Sequence, residues 1–71
     1  MDRDEWIERF ARELGVEPPL PETVEVLLAV AAEAAHASER TAAPVACYLV
    51  GRGRVPPAHA LATAEALRPD A

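Results

Sequence analysis

Proline placement constrains this chain more than any other feature. Pro18, Pro19 and Pro21 cluster in one stretch, Pro56 and Pro57 in another, and Pro44 and Pro69 stand alone. Proline lacks a backbone donor and clashes with the preceding helical turn. It is therefore excluded from helix interiors and central strands but tolerated in a first helical turn. Four segments remain for regular structure, and none alternates apolar and polar residues over a useful length, so no strand is expected. The expectation is an all-α fold: a compact bundle of four short helices over about 3–14, 21–39, 42–50 and 57–68. With 71 residues there is room for one domain, spanning residues 1–71.

The first segment carries its own boundaries. Asp2 is placed as N-cap with Glu5 three residues on, Asp4 and Glu5 suit the positive helix end, and Gly15 follows the last turn. Trp6, Ile7, Phe10, Ala11 and Leu14 recur at helical spacing and are expected to form a buried stripe. Glu8 and Arg12 form an i, i+4 pair. In the second segment Val24, Leu27, Leu28, Ala31, Ala34 and Ala35 fall on one face, and Val26 on the polar side. The third, opened by Thr41 as N-cap with Pro44 in its first turn and ended by Gly51, is apolar nearly all round, which predicts the most central helix. In the fourth, Leu61, Ala64 and Leu67 are expected to face inward.

Composition limits function. Sixteen of the residues are Ala and only Trp6, Phe10 and Tyr48 are aromatic, so the core must be assembled from small pieces. A chain of this size buries only about 60% of the surface its unfolded form exposes, and such a core alone supplies about 3–5 kcal/mol. Contact with a second chain is therefore expected, a homodimer being one form it could take. Twelve acids against seven arginines give a net charge of −5, which argues against nucleic acid as a partner. A lone Cys47 and two histidines on different segments do not make a metal site. An acidic N-terminus is unlike a signal peptide, and no apolar stretch approaches a membrane span, so a soluble cytoplasmic protein is expected.

No catalytic set is apparent. Cys47 lies in an apolar run with nothing to activate it. Ser38 and His36 are two apart on a helix and do not face each other. Ser38 also lacks the helix-opening Asp-Ser-Leu-like setting of acyl carrier proteins. Two polar clusters remain. His36, Glu39 and Arg40 close the second helix, with Glu39 toward the apolar side. Arg52 and Arg54 stand in a glycine-containing loop before the Pro56–Pro57 helix start, where an anion would be favoured. Either cluster is a candidate for holding a nucleotide or pterin phosphate. The simpler reading of both is helix-end architecture and a solvated loop.

The order of motifs resembles a known family. Trp6-Ile7 and Glu13-Leu14-Gly15-Val16 precede the Pro-rich turn. His36-Ala37-Ser38-Glu39-Arg40, Ala42-Ala43-Pro44-Val45 and Tyr48-Leu49-Val50-Gly51 follow it. This order, from Trp6 to about Leu67, resembles a small uncharacterised domain of high-GC bacteria. That domain occurs as a stand-alone short protein and fused behind the nucleotidyltransferase domain of molybdenum-cofactor guanylyltransferases. The resemblance implies a non-catalytic accessory domain linked to molybdenum-cofactor biosynthesis or molybdoenzyme maturation. Its implied partner is a guanylyltransferase or a maturation factor. It transfers no catalytic residue and no cofactor. His36, Glu39, Arg40 and Pro44 match its most specific block.

Overall fold

The computed structural model describes residues 1–69. Four helices follow one another: α1 (Arg3–Leu14), α2 (Pro21–Ala37), α3 (Ala42–Arg52) and α4 (Pro57–Ala66). Among the described residues there is no strand, and no helix is long and apolar enough to cross a membrane.

Local chemistry explains the ends. The Asp2 carboxylate accepts from the Glu5 N–H at 2.8 Å, satisfying one of the donors a helix start leaves open. At the far end of α1, Gly15 takes φ 73° while the N–H of Val16 reaches the Ala11 carbonyl and that of Gly15 the Arg12 carbonyl. This is a Schellman closure, with glycine at the one position that needs left-handed backbone. Pro21 and Pro57 open α2 and α4 within their first turns.

Three boundaries and one cap differ from expectation. α2 stops at Ala37, before Glu39, because Ser38 leaves the helical region and its hydroxyl donates to the Ala34 carbonyl at 2.9 Å. α3 runs through Gly51 to Arg52; its closure comes later, where Val55 N–H reaches the Val50 carbonyl and Arg54 N–H that of Gly51. The left-handed position of this second Schellman closure is held by Arg54, at φ 52°, and not by a glycine. α4 ends at Ala66, and the amides of Leu67 and Arg68 bond back three residues instead of four. Thr41 precedes α3 with helical backbone, and its hydroxyl points to a Glu39 carboxylate oxygen at 3.5 Å without capping the helix.

The central helix is α2, not α3. It packs closely along both α3 and α4, and α1 makes no packing of that extent with any helix. Val30 is the most deeply buried residue of the described core, at 3% exposure, with Ala11 and Ala60 the other two buried apolar positions. The face of α2 turned inward centres on Val30, about one residue's rotation (~100°) from the face that periodicity suggests. Val26 is accordingly half-buried and Leu28 exposed. α3 and α4 turn small residues toward it: Ala46 and Ala64 border one shallow groove with Val30, Ala34 and Ala37. In α4 the inward positions are Ala60, Leu61 and Ala64, and Leu67 is exposed. The half-buried Cys47 thiol points at the Leu27 carbonyl, 3.8 Å away.

Two helix ends of the same geometry but different residue type make opposite predictions. Gly15→Ala should lower unfolding stability by about 1 kcal/mol, the cost of left-handed backbone in a residue with a Cβ, since nothing lies near enough to clash. Arg54→Gly should raise it by about 0.5–1 kcal/mol, the relieved strain being partly offset by unfolded-state entropy. Ala60→Leu should cost about 1–3 kcal/mol by overpacking a buried position. Urea titration followed by circular dichroism checks all three.

Candidate functional site

The small residues that face inward leave the large ones outside. On α3, Val45, Tyr48 and Leu49 share the outer face, with Thr41 and Arg52 on the same line, while Ala43, Ala46, Cys47 and Val50 are half-buried. Tyr48 is 62% exposed. α1 divides in the same way. Ile7 and Ala11 turn inward, and Ile7 meets Pro18, Pro19, Pro21 and Val24 where α1 approaches the start of α2. Trp6, Phe10 and Leu14, one turn apart, face solvent at 54%, 49% and 59% exposure. The expected single buried stripe of α1 is thus corrected. It is two stripes, and the one with the larger side chains is uncovered.

The outer face of α1 is ordered by its own contacts. The rings of Trp6 and Phe10 stack with centroids 4.8 Å apart and planes 24° from parallel. This offset arrangement holds two aromatic faces together in water. Met1, Arg9 and Glu13 border them and complete a shallow depression. A second apolar groove runs between α3 and α4, lined by Leu49, Val50, Val55, His59, Ala60 and Thr63. A monomer normally scatters exposed apolar residues singly; two faces of adjacent large side chains are the signature of a contact surface.

The polar residues singled out by sequence are placed on the surface without being gathered. His36, Glu39, Arg40, Pro44, Arg52 and Arg54 are all exposed, so Glu39 is not drawn into the apolar side. Among the described residues no hydrogen bond or ion pair joins His36 to Glu39 or Arg40. Glu39 instead meets Thr41 in the turn between α2 and α3, whose backbone is closed by Ala42 and Ala43 amides on the Glu39 and Arg40 carbonyls. The described side chains include no buried polar or charged residue and no cluster of three metal-ligating groups.

One ion pair does organise distant parts of the chain, and sequence spacing did not reveal it. Arg68, just past α4, makes a two-pronged contact with the Glu33 carboxylate in the C-terminal part of α2, its Nε donating at 2.8 Å to Oε1 and its Nη2 to Oε2. His36 and Pro69 border the same groove. The Arg68 hydrogen bonds hold the Glu33 carboxyl below the ordinary glutamate range, against the opposing effect of partial burial, with the Arg68 and His36 charges adding to the lowering. A folded-state pKa below the unfolded one stabilises the fold above the ordinary glutamate range, and that contribution is lost as pH falls through the lowered value. At neutral pH, Glu33→Gln should therefore lower Tm by about 1–5 °C, the scale of a surface charged pair in a small domain. The difference should close on acidification below the carboxylate range. A gap that stays constant with pH in melting curves would mean that the ion pair is not its source.

Together these features define a small all-α domain with two uncovered apolar helix faces. The chain belongs to the family described as a domain of unknown function, DUF6457, whose model matches residues 1–69. The match contains the stretch from Trp6 to about Leu67 that carries the motif resemblance, and has no molybdenum-cofactor association of its own. No curated protein and no solved structure matches the chain.

Proposed function

We propose that this domain is a non-catalytic interaction module that acts by protein contact through the outer faces of α1 and α3. The observation that carries the reading is the exposure of Trp6, Phe10 and Leu14 on one helix and Val45, Tyr48 and Leu49 on another, while the buried positions are alanine and valine. Aromatic residues held rigid and half-exposed are the usual anchors of a protein interface. The exposed polar residues support the same reading, since chemistry on a substrate relies on groups brought together out of water. The context comes from the motif resemblance. The partner is a molybdenum-cofactor guanylyltransferase or a molybdoenzyme maturation factor, and the His36–Pro44 block shapes the connection that sets α3 against α2. The alternative, a module for a nucleotide or pterin phosphate, has less support because His36, Glu39 and Arg40 are not joined to one another.

Titration of the purified domain with the guanylyltransferase from the same genome tests this reading by isothermal calorimetry. Binding in the micromolar range is expected, weakened at least tenfold by Phe10→Glu, whose charge would be desolvated in the contact. Absence of heat at 100 µM with both the guanylyltransferase and the maturation factors would overturn the molybdenum-cofactor context.

A further inference from the structure

Two grooves meet at Glu33. One is apolar, lies between α2, α3 and α4, and has Leu67 at its border. The other is polar and is bordered by His36, Arg68 and Pro69. Residues 67–69 therefore run past Glu33, with Leu67 at the first groove and the next two residues at the second.

The contacts of this short segment show what holds it there. The Leu67 and Arg68 amides bond to the Ala64 and Glu65 carbonyls at 3.1 and 3.3 Å, each three residues back, with the poorer geometry of a tightened helix end. Pro69 has no N–H with which to prolong the helix. Leu67 is 72% exposed, so its burial contributes little. The Glu33 side chain, by contrast, is only 19% exposed, and Arg68 meets its carboxylate with two donors. Paired bonds between a guanidinium and a carboxylate are among the strongest a protein makes, and they fix orientation as well as distance. Among the described residues that line either groove, Glu33, His36 and Arg68 are the charged or titratable ones, and Glu33 is the one carboxylate. The elements packed beside it, α3 and α4, bring only Ala46 and Ala64 to its groove.

We infer that residues 67–69 are a strap closed across the end of the α2–α3–α4 seam by the Glu33–Arg68 clasp, and that the strap opens locally while the paired α2 and α3 stay folded. Opening frees the border of the apolar groove at Ala37 and Ala64, so the clasp controls access to the seam. Arg68 holds the Glu33 carboxyl below the ordinary glutamate range, with His36 adding to the lowering. The strap is therefore closed at neutral pH and opens as pH falls through that lowered value, where the carboxylate becomes neutral. The inference concerns the free domain and stands apart from the interaction reading.

Backbone 15N relaxation of the full chain tests it. At pH 7 the Leu67 and Arg68 amides are expected to have order parameters of about 0.8, close to those of rigid helical backbone. In Glu33→Gln they should fall to about 0.6 or below, and the wild type should show the same fall when acid protonates Glu33. The amides of α2 and α3 should keep their values in both cases. The exchanged pair, Glu33→Arg with Arg68→Glu, should restore order to the strap at pH 7. Strap amides already mobile in the wild type at pH 7 overturn the inference, as do strap amides unchanged in Glu33→Gln. A loss of order shared equally by α2 and α3 overturns it too, since the pair would then support the whole fold. Persistent disorder in the exchanged pair removes the clasp, because attraction between the two charges would not be what closes the strap.

Discussion

The close approach of α2 to α3 and α4 depends on alanine. Helix axes come nearest where the side chains between them are smallest. Here Ala34 and Ala37 of α2, Ala46 of α3 and Ala64 of α4 border one shallow groove beside Val30. Such packing buries little area per residue but brings many atoms within dispersion range, so it favours a tight seam over a thick core. The rest of the architecture follows. α3 is turned so that Ala46, Cys47 and Val50 are half-buried while Val45, Tyr48 and Leu49 point away. The surface that looks wasted in an isolated chain is the direct result of how the interior is filled.

α1 is held differently. It has no long seam with any neighbour and contacts the start of α2 around Ile7 and the prolines before it. Its own ends are firmly closed, by Asp2 at one side and the Gly15 turn at the other. The helix is therefore well formed locally and lightly attached globally. Regions with few tertiary contacts sit at the low end of local stability. A helix of this kind carrying two stacked aromatic rings gains more from an external contact than one already locked into a core.

Much of this was legible from the residues, and the limits have a physical cause. Proline positions and the Asp2 and Gly15 signals located α1 to the residue, because they act through local backbone chemistry that needs no knowledge of the neighbours. Orientation was harder. In α3 nearly every position from Val45 to Val50 is apolar, so no moment distinguishes the face that meets α2 from the face that meets solvent. Tyr48 and Leu49, the largest side chains of the run, are exposed, whereas Ala46, Cys47 and Val50 are half-buried. The inward face of α2 likewise centres on Val30, and Trp6 and Phe10 stay outside. The Glu33–Arg68 pair was invisible for another reason: its partners are 35 positions apart and meet only after α4 has docked.

That pair also clarifies the role of the polar block at the end of α2. His36 faces the groove where Arg68 meets Glu33, on one side of the helix end, and Glu39 and Thr41 close the turn on the other. Of these side chains Glu39 meets Thr41 and His36 borders the Glu33–Arg68 groove, and they are not directed at a shared point. A shared point is what a small ligand would require, because its affinity comes from several groups converging on a few atoms. A protein partner needs no such convergence; a few rigid anchors surrounded by contacts that exclude water are enough. The separation of these polar residues and the clustering of the apolar ones therefore point the same way. The recognisable block from His36 to Pro44 forms the connection by which α3 leaves α2.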